Sequence, residues 1–394
     1  MNIVHIEDFF HPDAGYQVNI LAKYMVKQGH EVTVVTGEMD KIPETLTNFF
    51  GKENIEVADE VYKKKTGVKI IRIPLIGYVS GRAVFSGKIY KVVRNLNPDI
   101  LYVHGNDTLS GMRFTAKVKS LKYPLVLDNH MLEMASQNRF RHIFRAFYRT
   151  VFTRIIIKNN IPVIRTVDDP YVEKCLGIPL NQCPVIGFGS DVIQFRPDEY
   201  AKAIFRKENN ISADDFVVLY AGKLDESKGG KILANAFAKK IECQNSRSVT
   251  LIVVGNAVGD YGRELEEIFS VSENKIIRFP TQKYMNLAKF YQAADLAVFP
   301  KQCSLSFFDA QACGLPVLAE DNEINEERLS NNNGLVFKSN NIEDFRTKVL
   351  FCANMQHNLF KEMCNNSYNL IRQKYNYEDI AQRYINIMQD RKEV

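Results

Sequence analysis

Two stretches of this chain run through the same order of residue types, and that recurrence restricts the fold more than any bulk property. Residues 2–6 (NIVHI) read as a buried strand, followed by a loop containing Gly15 and a helix over 18–28 with Ile20, Leu21, Tyr24 and Met25 on one side. Gly29 supplies the stop, and 31–36 (EVTVVT) is the next strand. The order restarts at 216–220 (FVVLY), with a Gly222-Lys223-Leu224 turn, a helix from about 229 to 240, and a strand at 250–254 closed by Gly255. Strand, glycine loop, helix, strand is a βαβ unit, and a crossover of that length joins parallel strands. Further strands are expected at 68–73, 100–103, 125–127 and 162–165, then at 276–279, 296–299, 316–318 and 335–337, with helices at about 86–95, 109–119 and 138–157. The expected fold class is therefore α/β: two doubly wound Rossmann-like domains facing across a cleft, with ligands at the carboxyl ends of both sheets. The 394 residues agree, at roughly 100–200 per domain. Periodicity lapses near 186–200, so the domains are drawn at 1–188 and 189–378. The remaining 379–394 is an amphipathic helix with Ile380, Tyr384 and Ile387 on its apolar side; it can pack on either domain, and the N-terminal one is taken as its seat.

Composition removes several function classes. A net charge of +5 is too small to argue for nucleic acid, and none is expected as a partner. Seven cysteines with no C-x-x-C pair argue against a disulfide framework or a zinc site and for a reducing compartment. No apolar run is long enough to span a bilayer, and MNIVHIEDFF lacks the order of a signal peptide, so a cytoplasmic location is expected.

Three loops carry candidate chemistry. Gly15, followed by Tyr16, lies between a strand and a helix, where free N–H groups can meet a phosphate; it is equally readable as a plain turn glycine. Lys223 and Lys228 flank the second strand-to-helix turn, and their ammonium groups can neutralise a diphosphate or simply be solvated. In 299–317, Ser304 or Ser306 can cap a short helix that Gly314 and Pro316 end, with Ser306-x-x-Asp309 as a loose capping box. Asp309 then either takes a ribose hydroxyl pair or serves its own helix dipole.

Here a resemblance becomes visible. Asp309-Ala-Gln-Ala-Cys-Gly-Leu-Pro-Val resembles the E-A-x-A-x-G-x-P-V signature of family-4 retaining glycosyltransferases of the GT-B fold. Gly222-Lys-Leu-x-x-x-Lys228-Gly resembles that family's G-R-L-x-x-x-K-G, and Pro12-x-x-Gly15-Tyr16 with GHEVTVVT at 29–36 is similar to its opening. Gly187-Phe-Gly-Ser-Asp191, then Phe195-x-Pro197, is similar to its interdomain stretch; Tyr291-x-x-Ala294-Asp295-Leu296 and Asn333-Gly334-Leu335-Val336 also fit. The matches are collinear from residue 1 to about 340.

The resemblance implies transfer of a sugar from a nucleotide diphosphate sugar, UDP- or GDP-linked, to an acceptor hydroxyl with retention, and with no metal or other cofactor. The N-terminal domain would bind the acceptor and the C-terminal domain the nucleotide sugar. Gly15 and Tyr16 would approach the diphosphate, Gly222, Lys223 and Lys228 would hold it, and the N–H groups of Leu305 and Ser306 would support it. Asp309 would bind the ribose, and His130, after the strand PLVLDN, would approach the transferred sugar. The same histidine is also readable as a hydrogen-bonded loop residue; His104 is a weaker candidate for that rim, and His5 reads as core. The chain departs from the pattern in three places. Lys301 stands where the first acid of the pair belongs, eight residues before Asp309, so Gln302 and Ser304 are the candidates to contact the sugar. Lys223 replaces an arginine and loses its fork, and Tyr16 replaces a glycine.

Residues 138–158 place six basic residues (139, 141, 145, 149, 154, 158) among Phe, Tyr and Ile. This suits a surface helix on anionic lipid, or an ordinary helix with its apolar side in the core. Membrane contact at the inner face would fit a lipid-linked or oligosaccharide acceptor in polysaccharide assembly. Two other functions remain open: a non-catalytic glycan-binding or regulatory GT-B partner, and a nucleotide-sugar 2-epimerase.

Overall fold

The computed structural model describes residues 1–47, 54–79, 81–132, 139–244, 247–301 and 305–393. They form two units, Met1–Phe188 with Tyr377–Val394, and Gly189–Asn376.

The first unit is built on β1 (Asn2–Ile6), β2 (Glu31–Gly37), β3 (Lys69–Ile73), β6 (Ile100–Val103), β7 (Leu125–Asn129) and β8 (Val163–Arg165), with β4 (Leu75–Val79) and β5 (Arg82–Phe85) as a separate antiparallel pair. The six strands are parallel in the order β3-β2-β1-β6-β7-β8, with Ile3 opposite both Val32 and Ile100. The second unit repeats this with β9 (Phe216–Ala221), β10 (Val249–Val254), β11 (Lys275–Phe279), β12 (Leu296–Phe299), β13 (Val317–Glu320) and β14 (Gly334–Phe337), in the order β11-β10-β9-β12-β13-β14. In each sheet the strand order reverses beside the first strand, between β1 and β6 and between β9 and β12. At such a switch point the neighbouring loops diverge and leave a crevice at the carboxyl ends.

The central strands are mostly apolar because helices cover both faces of a parallel sheet. Val4, Ile6, Leu101, Val103, Leu125 and Leu127 join one core, and Phe216, Val218, Leu251, Val253, Leu296 and Val298 the other. Helix Gln17–Lys27 ends as the residue types dictate: Gly29 N–H donates to Val26 O (2.9 Å) and His30 N–H to Met25 O (3.1 Å), the paired bonds of a Schellman stop. The β4–β5 pair and helices Ile55–Thr66, Glu199–Glu208, Gly259–Ser270, Ile342–Ala353 and His357–Lys374 are elements that the sequence pattern did not single out.

The C-terminal helix Tyr377–Glu393 packs on helix Gln17–Lys27 of the first unit. Gln17 Nε2 donates to the Tyr384 hydroxyl (2.6 Å), and the rings of Tyr24 and Tyr377 stack at 6.3 Å. Its buried side is Tyr377, Ile380, Ala381, Tyr384, Ile385 and Met388; Ile387 is half-buried beside it. Among the described residues no helix is long and apolar enough to cross a membrane.

Candidate active site

In the second unit the loops after β9, β10 and β12 converge. Gly255 adopts φ +147°, and a Cβ there would lie 1.9 Å from the Gly222 carbonyl oxygen, so the chain leaving β10 presses directly on the chain leaving β9. Lys223 is exposed and Lys228 half-buried. Between them Asp225 caps a short turn, accepting the Lys228 N–H (3.0 Å). Gly229 follows at φ +75°, and a Cβ on it would meet Pro300 Cβ at 2.9 Å and Lys301 Cγ at 3.1 Å. The lysine loop therefore lies against the start of the 300-loop. The loop bearing Lys223 and Lys228 thus meets the residues that follow β12, Lys301 among them, at the carboxyl end of the sheet.

Asp309 requires a correction. Helix Ser306–Ala312 starts without a side-chain cap, so the proposed capping box does not form. Asp309 is only 2% exposed, and its Oδ1 accepts the hydroxyls of Ser190 (2.6 Å) and Tyr284 (3.3 Å). It does not cap the helix; its carboxyl is engaged by those two hydroxyls. Burial pushes its carboxyl up to about 8 despite those two hydrogen bonds, so it is a neutral acid at pH 7. Leu305 and Ser306 are half-buried at the helix start. Gln302 and Ser304 lie outside the described residues.

In the first unit Gly15 is half-buried, and Tyr16, 43% exposed, begins helix Gln17–Lys27. His130 stands just past β7 in a hydrogen-bonded chain. Its Nε2 lies 3.2 Å from Asp128 Oδ2 and its Nδ1 3.0 Å from Thr166 Oγ1. Its ring stacks on Phe188 at 5.8 Å and 9°. Asp128 is fully buried and also meets His104 Nδ1 (2.9 Å), the Tyr102 hydroxyl and the Gly105 N–H (2.6 Å). Burial alone would raise its pKa, but the two imidazoles outweigh that and hold it well below the usual carboxylate range. His104 responds in kind: burial disfavours its charge, yet Asp128 raises it. His104 is thus a buried partner of Asp128 rather than a rim residue, and its Nε2 meets His5 Nδ1 at 3.0 Å. His104, Asp128 and His130 each offer an atom within 4.8 Å of the others, a spacing that could also hold a metal ion.

Residue identity alone did not single out Asp128, Glu7 or Asp8 as site residues. The available signal was an acid placed at the carboxyl end of an otherwise apolar strand, in LVLDN and in NIVHIED.

Residues 14–166 match the model described as Glycosyltransferase Family 4, and residues 215–354 the model described as Glycosyl transferases group 1. The chain belongs to the family-4 glycosyltransferases of the GT-B fold. The two matches cover most of both units of this GT-B chain. Among curated relatives, D-inositol 3-phosphate glycosyltransferase from Segniliparus rotundus is 35% identical over 34% of this chain and 31% of its own length. The enzyme of that name from Corynebacterium jeikeium is 25% identical over 60% of each. The chain thus spans between about a third and three-fifths of these relatives. Among solved structures, Anabaena Alr3699/HepE in complex with UDP and glucose superposes with a TM-score of 0.71, at 17% identity, covering 99% of this chain and 100% of that one. At that identity the likeness concerns the fold.

Proposed function

We propose that this chain is a retaining hexosyltransferase that moves a sugar from a nucleoside diphosphate sugar to a hydroxyl of a lipid-linked or growing glycan, without a metal. The observation that supports the reading is the packing of Gly229 against Pro300 and Lys301, which sets the loop bearing Lys223 and Lys228 against the residues that follow β12 in the second unit. In the reaction, the bond from the anomeric carbon to the diphosphate breaks and a bond to the acceptor oxygen forms. The main barrier is the negative charge that develops on the departing nucleoside diphosphate. Lys223 and Lys228 would stabilise that charge, for about 3–4 kcal/mol if they act like a strong oxyanion donor; Gly222 and the N–H groups of Leu305 and Ser306 in the second unit, and Gly15 and Tyr16 in the first, are the further donor-binding candidates. Asp309 enters as a neutral acid at the nucleoside end, fixed by Ser190 and Tyr284. Gln302 and Ser304 remain the candidates to contact the sugar, since Lys301 replaces the family's acid.

His130 would approach the transferred sugar from the first unit. Both its ring nitrogens are engaged, so it serves as a fixed group and not as a mobile base. The HepE structure was solved with UDP and glucose, which makes UDP-glucose the first donor to try. The acceptor would come to the first unit, at the inner face of the cell membrane. Support for membrane contact is the exposed apolar side of helix Arg141–Tyr148 and its start: Phe140 is 64% exposed, Ile143 71% and Phe147 51%, and Arg154 further along is exposed as well. Arg145 and Arg149 are not free for lipid, since Arg145 lies over the Tyr171 ring and Arg149 donates to the Cys175 carbonyl (3.1 Å).

The test is thermal stabilisation by UDP, GDP, ADP and CMP and their sugar conjugates in EDTA. A ligand at about 100 times its Kd adds about 2.7 kcal/mol. A shift with one nucleoside diphosphate supports the reading; no shift with any moves the non-catalytic alternative ahead, which Lys301 in place of an acid keeps open. Release of UDP without acceptor would point instead to the epimerase.

A further inference from the structure

The first unit holds a cavity of about 270 Å³ at the carboxyl ends of β1, β6 and β7, lined by Glu7, Asp8, Arg82, His104, Asp107 and His130 among others. It lies just under the roughly 300–1,000 Å³ of sites for drug-sized ligands, so it suits a single sugar ring better than an extended chain. Its charge is unbalanced, with three carboxyl groups against one guanidinium. His104 Nδ1 and His130 Nε2 both face the buried Asp128 carboxylate, and His104 Nδ1 also lies 3.8 Å from Glu7 Oε2.

The acids are also held in place. Asp8 accepts the Ala83 N–H and the Ser110 hydroxyl, each at 3.2 Å. Glu7 accepts the Phe9 N–H through Oε1, and its Oε2 lies 3.8 Å from His104. Carboxyl oxygens fixed in this way accept the hydrogen bonds that a sugar's hydroxyls donate. A phosphate dianion in the same space would face like charges in a partly desolvated site.

We propose that this cavity seats an uncharged polyhydroxylated ring, the acceptor's terminal sugar, and discriminates against phosphorylated polyols. The proposal rests on reading the chain as a glycosyltransferase. It sets the chain apart from its relatives named for inositol 3-phosphate.

The experiment measures binding to the full chain by saturation-transfer NMR and calorimetry. The probes are the methyl glycosides of glucose, galactose and mannose, inositol 3-phosphate, and, separately, UDP and GDP. At least one neutral glycoside should bind at least about tenfold more tightly than inositol 3-phosphate. Glu7→Gln should weaken that glycoside by about tenfold or more and leave nucleotide affinity unchanged. Asp8→Asn, nearly the same shape, is the second variant, with melting curves to show that both fold. Inositol 3-phosphate binding as tightly as the glycosides, or glycoside affinity untouched by both substitutions, overturns the proposal. Glycoside binding that depends on Glu7, with no nucleotide binding at all, supports the cavity and overturns the glycosyltransferase reading. Nucleotide binding with no glycoside binding does the opposite.

Discussion

Asp128 and Asp309 are both buried aspartates near the carboxyl edge of a parallel sheet, one in each unit, yet they carry opposite charge states. Asp128 is met by two imidazoles, a phenol and a backbone N–H, and its carboxylate is held well below the usual range. Asp309 is met by two hydroxyls, with Asp191 opposing, and its acid is pushed up to about 8. Burial acts the same way on both. The difference lies in the partners: two imidazoles hold Asp128 as the anion, whereas two hydroxyls do not offset the burial of Asp309. The first unit therefore stores a buried ion network and the second a neutral, hydroxyl-bound acid.

The largest expected effect breaks the first half of that contrast. Asp128→Ala leaves two imidazoles without their anion and should cost about 3–5 kcal/mol in urea unfolding. Asp128→Asn keeps the shape and should cost less. Because the folded pKa of Asp128 is depressed, its contribution is present above the unfolded value and lost as pH falls below it. The gap between wild type and Asp128→Asn should narrow from pH 6 toward pH 3; a constant gap would show that no paired charge is involved.

Next in size is the chemistry assigned to the second unit. Lys228→Ala should cut turnover at least about a hundredfold if its ammonium stabilises the leaving diphosphate. Near-normal activity would remove it from the site.

Asp309→Asn sharpens the second half of the contrast. Folded Asp309 keeps its proton up to about 8, whereas the unfolded residue releases it near 4. Wild-type stability should therefore fall as pH rises between those values and level off beyond. The Asn variant should lack that part of the slope, and parallel stability curves from pH 5 to 8 would refute the neutral acid.

The smallest effect concerns the exposed stripe of the first unit. Replacing Ile143 and Phe147 by Ser and Arg154 by Gln should weaken sedimentation with phosphatidylserine vesicles, by about 1 kcal/mol for the lost basic residue and more for the apolar pair. Nucleotide affinity should not change, and unaltered vesicle binding would assign the stripe another role.

Much of this was legible before any coordinates. The strands of both sheets show as apolar runs because both of their faces are buried, and the Gly29 stop follows from the need for a positive φ past a helix end. The β4–β5 hairpin was not legible, because its strands are short and Leu75 and Ile76, adjacent and chemically alike, take opposite burial. The loop lysines were visible as charges at strand ends, but their grouping with Lys301 was not: it depends on Gly229 touching a segment some seventy residues away. Asp309 was visible as an acid in an apolar helix, and its capping role was misread because Ser190 lies 119 residues distant.

Local pattern alone thus determined the parallel order of elements, the restart at 216 and the positions at which charged loops leave the strands, since backbone hydrogen bonding and burial periodicity act over a few residues. Only the tertiary structure decided which acids are ionised, which histidine nitrogens are committed and which carboxyls share a cavity. Those properties are set by desolvation and by partners within about 3 Å, and chain neighbours do not specify which distant residues will supply them.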